Sequence, residues 1–209
     1  LRVPTAAALA ELRRRHEAIK ALCRKAGASF VELGAATELN WYDKGLTVAH
    51  CTALANVIAT NGLPRLERLY LSYNRFGAEG MQALAEGFGS GALPSLTYLR
   101  LSANNIGEAG ASALGAALGR GALTRLQVLT LGDNGLGSAG LIALAPALRA
   151  RPQLKTLGLV DNGIGDDGVA ALVAPGAGVL PSLVELDLWN NKVTDAGCAA
   201  LAAALSRGA

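Results

Sequence analysis

One frame recurs along this chain and limits what it can fold into: Leu66-x-x-Leu69-x-Leu71-x-x-Asn74, again from Leu96 to Asn104, Leu126 to Asn134, Leu154 to Asn162 and Leu183 to Asn191. The asparagines stand 30, 30, 28 and 29 residues apart. A period of that length marks one supersecondary unit per copy, each too small to bury its own apolar face and therefore stacked on its neighbours. Two places after each asparagine comes an apolar residue (Phe76, Ile106, Leu136, Ile164, Val193), and six places after it a glycine (Gly80, Gly110, Gly140, Gly168, Gly197). An upstream stretch keeps the spacing and loses the letters. There Ala36, Leu39, Trp41 and Lys44 fill the frame, Leu46 follows, and His50 stands where the glycine belongs. Terminal repeats are commonly atypical, so about six repeats are expected, the first degenerate.

After the glycine position, in every repeat but the fifth, comes an apolar pair four residues apart, at Leu54/Ile58, Leu84/Phe88, Leu114/Leu118, Leu144/Leu148 and Leu201/Leu205, set in alanine-rich sequence. That spacing predicts one buried helix face per repeat. In the fifth repeat Pro175 and Gly176 follow Leu172 closely and should cut the helix short, and Pro146 should kink the helix of the fourth. In the Leu-x-Leu segments side chains alternate, so the leucines point into the stack and the residues between them point out. The fold class is therefore α/β: parallel strands pair from repeat to repeat and line a concave face, while longer helices splay on the convex one. The asparagine amides, at the turn leaving each strand, can bond backbone groups that the turn leaves unpaired.

Frame, glycine and helix together resemble the leucine-rich repeat family, and in particular its ribonuclease-inhibitor-like subclass, also found in the sensor arms of NOD-like receptors. The resemblance covers residues 36–209 and implies a horseshoe-shaped solenoid that binds other proteins. Ran GTPase-activating proteins resemble the same subclass, which adds regulation of a GTPase as a less favoured alternative, although the strongly acidic tail of many of them is lacking here.

Residues 1–35 are expected to form a basic amphipathic helix and cap. Leu9, Leu12, Ile19 and Cys23 fall on one side of a helix opened by Pro4 and Thr5, with Arg13, Arg14, Arg15, Lys20, Arg24 and Lys25 elsewhere. Such a helix covers the first repeat or docks on an acidic partner or membrane surface. Seven Lys/Arg against two acids within residues 1–27, and twelve against fourteen beyond, confine the basic character to this segment. A nucleic-acid binder would carry a basic stripe along its folded surface, so none is expected as a partner. The chain opens on Leu1 with Met81 as its single methionine, which reads as a processed product or a fragment. Its last residues stop within a repeat, so Leu186, Leu188, Leu201 and Leu205 are expected to form an uncapped apolar edge.

Chemistry-bearing patterns are sparse. There is no phosphate-binding GxxxxGK[ST], and Gly87-Phe88-Gly89-Ser90-Gly91 lies between helix and strand, where glycine ends helices. Asp161, Asp166 and Asp167 lack the spacing of a calcium loop. His16 and His50 stand far apart in the frame, which argues against nucleophilic catalysis. Cys23, Cys51 and Cys198 form no CxxC, and the last two lie five repeats, at least about 24 Å, apart. No metal, cofactor or enzymatic activity is expected, no stretch is long and apolar enough to span a membrane, and free thiols favour an intracellular compartment.

The frame also assigns the outward strand positions. They hold all four tyrosines and one of the two tryptophans. Tyr42, Arg68, Tyr70, Tyr73, Tyr98 and Arg100 form a patch in the first three repeats, and Glu185, Asp187 and Trp189 an acidic one in the sixth, with Gly132 and Gly158 between them. Tyr, Trp and Arg dominate binding hot spots, so these residues are the candidate partner-binding site of a protein-recognition scaffold. A structural subunit of a larger assembly, held through the basic helix and the apolar edge, is the alternative.

Overall fold

Each frame becomes one short strand followed by one helix. A computed structural model describes residues 5–27, 29–89, 91–174 and 180–206. In chain order the elements are α1 (Ala6–Ala26), α2 (Phe30–Ala35), β1 (Glu38–Asn40), α3 (Val48–Ala59), β2 (Arg68–Tyr70), α4 (Gly77–Gly87), β3 (Tyr98–Arg100) and α5 (Gly107–Gly119). They continue as β4 (Val128–Thr130), α6 (Gly137–Arg149), β5 (Thr156–Gly158), α7 (Asp166–Leu172), β6 (Glu185–Asp187) and α8 (Asp195–Ser206). The strands form one parallel sheet in the order β1-β2-β3-β4-β5-β6, and each helix from α3 to α8 packs on the next. The central leucines Leu39, Leu69, Leu99, Leu129, Leu157 and Leu186 stand in register across it. The degenerate first copy therefore forms a complete strand and helix, with Trp41 and Leu46 buried as their positions require.

The asparagines do what the sequence suggests and also join neighbouring repeats. Asn104 Oδ1 accepts from the backbone N–H groups of Asn74 and Arg75 at 2.9 and 3.0 Å, while its Nδ2 donates to the carbonyls of Leu71 and Leu101 at 3.0 and 2.8 Å. Asn74, Asn134, Asn162 and Asn191 make the same connection to the repeat before them. Asn74, Asn104, Asn134 and Asn162 are buried. A buried amide is tolerable because its polar atoms are paired.

The glycine six places on is a packing requirement. A Cβ on Gly110 would lie 2.5 Å from Ile106 Cγ2, which is the apolar residue two places after the asparagine. The two letters of the motif thus specify a single contact. Gly87, expected only to end its helix, also lets α4 close on α3, since a Cβ there would lie 2.5 Å from Ala55 Cα.

The ends differ from each other. At the start, α1 packs on α3 and buries Leu22 completely, and Ile19 and Cys23 are half-buried beside it. Leu22 was not singled out by the sequence pattern, and Pro4 and the Leu9 and Leu12 side chains lie outside the described residues. At the other end Leu183, Leu186, Leu188 and Leu201 are only half-buried and Leu205 is 69% exposed, whereas Leu154, Leu157, Leu159 and Leu172, their counterparts one repeat earlier, are fully buried. The helix of the fifth repeat ends at Leu172 after seven residues; Pro175 and Gly176 are outside the described residues. Pro146 does not interrupt α6, which runs on to Arg149. The proline sits in the last turn, and the carbonyl it strands belongs to Ile142, an exposed residue.

Candidate functional site

The parallel register turns the outward residues into rows that cross the strands. Asn40, Tyr70, Arg100, Thr130, Gly158 and Asp187 form one row, and Glu38, Arg68, Tyr98, Val128, Thr156 and Glu185 the next. A further row from the turn after each strand adds Tyr42, Ser72, Ser102, Gly132, Val160 and Trp189. Members of these rows line a hollow of about 700 Å³ along the sheet. Ser72 and Ala103, at outward positions of the frame, are only 5% and 7% exposed, although Ser72 lines the hollow. Both residues are small enough to be covered by the side chains around them.

In the second and third repeats the site is a set of tilted aromatic rings with an arginine over two of them. Tyr70 and Tyr98 are neighbours across β2 and β3, with centroids 6.0 Å apart, and the Arg100 guanidinium lies over both, at 5.5 and 5.2 Å. Arg100 Nη2 donates to the Tyr98 hydroxyl at 3.3 Å. Arg68 pairs with Glu38 on β1 at 3.5 Å. Tyr42 and Tyr73 form a second aromatic pair, 5.0 Å apart, each half exposed. Such offset, tilted pairs suit the ring quadrupole and hold the side chains in place.

The far end is acidic. Asp187 Oδ1 accepts from the Trp189 N–H at 3.0 Å, Glu185 accepts from the Thr156 hydroxyl at 3.4 Å, and Trp189 is 70% exposed. The structure thus gathers Tyr42, Tyr70, Tyr73, Tyr98, Arg68 and Arg100 at one end of the face, and Glu185, Asp187 and Trp189 at the other, with the small residues Thr130, Gly132 and Gly158 between.

Several polar groups away from this face have structural partners. Asp166 Oδ1 accepts from the N–H groups of Thr194 and Gly197 at 2.8 and 3.0 Å, and the Thr194 hydroxyl donates to Oδ2 at 2.6 Å. These bonds, led by that from the Thr194 side chain, hold the carboxyl below its usual range. Asp161 accepts from the Asn190 amide. His50 Nδ1 accepts from the Thr47 N–H and closes a capping box at the start of α3. Among the described residues no group of three or more His, Cys, Asp or Glu could hold a metal ion. All three cysteines are free, and burial pushes the Cys51 thiol up to about 12.

One buried charge escaped the sequence reading. Arg151 is 6% exposed and occupies the repeat position of the buried residues Leu63, Leu93, Leu123 and Leu180, three places before the first leucine of the frame. One Nη donates to the Leu118 carbonyl, Nε has no partner, and burial pulls the guanidinium below its ordinary value. The signal was present in the sequence as a broken leucine column.

Strand-and-helix units stacked through a parallel sheet, with an asparagine ladder at the turns, define an α/β repeat solenoid. The Leucine Rich repeat family model matches residues 63–85, 92–115, 123–145, 152–173 and 179–202, more than half of the sequence, and the chain belongs to the leucine-rich repeat family. Comparison with curated proteins gives no significant match. Solved structures that match include the actin-binding site 2 of leiomodin-1, at 12% identity and TM-score 0.46 over 99% of this chain and 91% of that one. A chain of the yeast Rad7 and Elc1 complex matches at 14% identity and TM-score 0.47 over 94% and 62% of the two chains. One from the complex of TLR13 with ssRNA13 matches at 24% and 0.46 over 71% and 19%. Among the described residues no helix is long and apolar enough to cross a membrane.

Proposed function

We propose that this chain is a protein-recognition module of the ribonuclease-inhibitor-like subclass, working in a reducing intracellular compartment and taking a protein partner on its concave face without catalysis or cofactor. The observation that carries this reading is the Tyr70–Arg100–Tyr98 cluster with the Tyr42–Tyr73 pair beside it, of which Tyr42, Tyr70, Tyr73 and Arg100 line one hollow. Aromatics and arginine held rigid before binding lose little freedom on contact, the usual condition for a hot spot.

Tyr73 adds an independent argument. The turn after each strand requires a left-handed residue, met by Asp43, Ala103, Asp133, Asp161 and Asn190 in the other repeats and by Tyr73 at φ 64. Asp and Asn adopt that conformation most readily. An exposed tyrosine there sacrifices stability, and a contact surface is what would reward it. The subclass assignment rests on helices of 11 to 13 residues in α4, α5 and α6. A protein is favoured over a nucleic acid because Asp133, Asp161, Glu185 and Asp187 occupy half of the face without a basic residue among its outward positions.

The alternative of a built-in structural subunit draws support from the edge around β6 and α8, where Val184 and Leu205 are 86% and 69% exposed. Site-specific photo-crosslinking in cells separates the two. A photoreactive residue at Tyr98 is expected to capture a discrete protein, and one at Gln82 on α4 to capture none. Capture only from Val184 and Leu205 would favour the subunit, and capture only from Gln82 would contradict both.

A further inference from the structure

Charges on the concave face are sorted along the array. Arg68 is matched by Glu38. Among the described residues Arg100 forms no ion pair and rests instead on the rings of Tyr70 and Tyr98. A guanidinium held in this way has already lost much of its torsional freedom and keeps a planar set of donors free for a carboxylate.

Beyond β3 the outward positions contain no Lys or Arg and carry Asp133, Asp161, Glu185 and Asp187. Trp189 lies among these acids with its ring largely in solvent, a surface suited to the stems and charges of basic side chains. The floor between the two regions is Thr130, Gly132 and Gly158. A Cβ on Gly132 would meet the Val160 carbonyl at 3.3 Å, so the floor is backbone and small side chains, and a ligand's own backbone can come close to it. Arg100 and Asp187 belong to the same row, three strands apart. At ~4.8 Å per strand that is roughly 14 Å.

We propose that the occupant of this face is a polypeptide segment of a protein partner with a fixed polarity: one carboxylate and, about 14 Å along, a group of lysines or arginines. The carboxylate docks on Arg100, the basic group meets Asp187 and Glu185 beside Trp189, and the stretch between them crosses Gly158. This inference rests on the concave-face reading and adds to it the charge pattern of the partner and how that pattern lies along the array. Opposed charges at the two ends fix register, because a segment laid in reverse puts like charges together.

The test uses a library of random linear peptides displayed on phage, selected on the whole chain. Selected peptides are expected to carry an acid and a basic group separated by about that distance. Arg100→Glu and Asp187→Lys should each weaken their binding at least about thirtyfold, and Gln82→Ala should leave it unchanged. Exchanging the acid for lysine and the bases for glutamate in the peptide should restore binding to the double reversal variant. Peptides that respond to Tyr70→Ala and Trp189→Ala but not to the charge reversals would overturn the proposed polarity and leave the concave-face reading standing. Failure to recover any peptide that responds to a concave substitution would overturn both.

Discussion

At the scale of single residues, Asn104 closes four backbone gaps with one side chain, and three of those gaps belong to the preceding repeat. Asn104→Ala leaves two N–H groups and two carbonyls without that partner in a buried site. Unmade buried hydrogen bonds cost about 1 to 3 kcal/mol each, so a loss of about 3 kcal/mol or more is expected. At 2–4 °C per kcal/mol, the midpoint of thermal unfolding should fall by roughly 6 to 12 °C. A calorimetric scan showing a drop within 2 °C would mean that water replaces the amide. Arg151 is the opposite case. In Arg151→Leu the Leu118 carbonyl keeps the Gly121 N–H at 2.9 Å, and an uncompensated cation leaves a leucine position. Relieving a buried charge commonly gains 1 kcal/mol or more, and the same scan should rise by about 2–4 °C. A lower midpoint would show that Nε has a partner in solution.

At the scale of elements, the strands and helices could be read from the sequence because two periods coexist in most repeats, a spacing of two in Leu-x-Leu and of four in the apolar pairs. Contacts between repeats were harder to see. The Gly87 approach to Ala55 joins residues in different repeats, and no local period marks it. Asp166 stood out in the sequence only as one of three acids without the spacing of a calcium loop, yet it binds the first turn of α8 from the start of α7. The carboxylate satisfies N–H groups that a helix start leaves unpaired, where negative charge is favoured. Asp166→Ala should therefore speed amide exchange at Thr194 and Gly197 and leave α4 to α6 unchanged. Because the folded carboxyl lies below its ordinary value of 3.8, its contribution is present above that value and lost as the pH falls beneath it. The wild-type exchange rates at these two amides, corrected for intrinsic pH dependence, should approach those of the variant only under such acidic conditions. Equal rates in the two proteins at neutral pH would show that the cap does not hold α8.

At the scale of the whole molecule, the array is one core drawn out in a line, capped by α1 at its start and open around β6 and α8 at its end. The outward positions could be read from alternation alone, which is why most of the aromatic and charged residues fall where the frame assigns them. Their pairing could not: the seat of Arg100 on two tyrosines depends on register across strands 30 residues apart in sequence. The burial of Ser72 and Ala103 likewise depends on neighbours that the frame does not specify. The central claim, that this face and not the helical one receives a partner, is tested most directly by calorimetric titration of the partner captured through Tyr98. Tyr70→Ala combined with Arg100→Ala should weaken binding at least about thirtyfold, since truncating a hot-spot residue commonly costs 2 kcal/mol or more, and should leave the unfolding midpoint nearly unchanged. Gln82→Ala on the convex face should stay within about a factor of two. Wild-type affinity in the concave double variant, with binding lost in Gln82→Ala, would contradict the account.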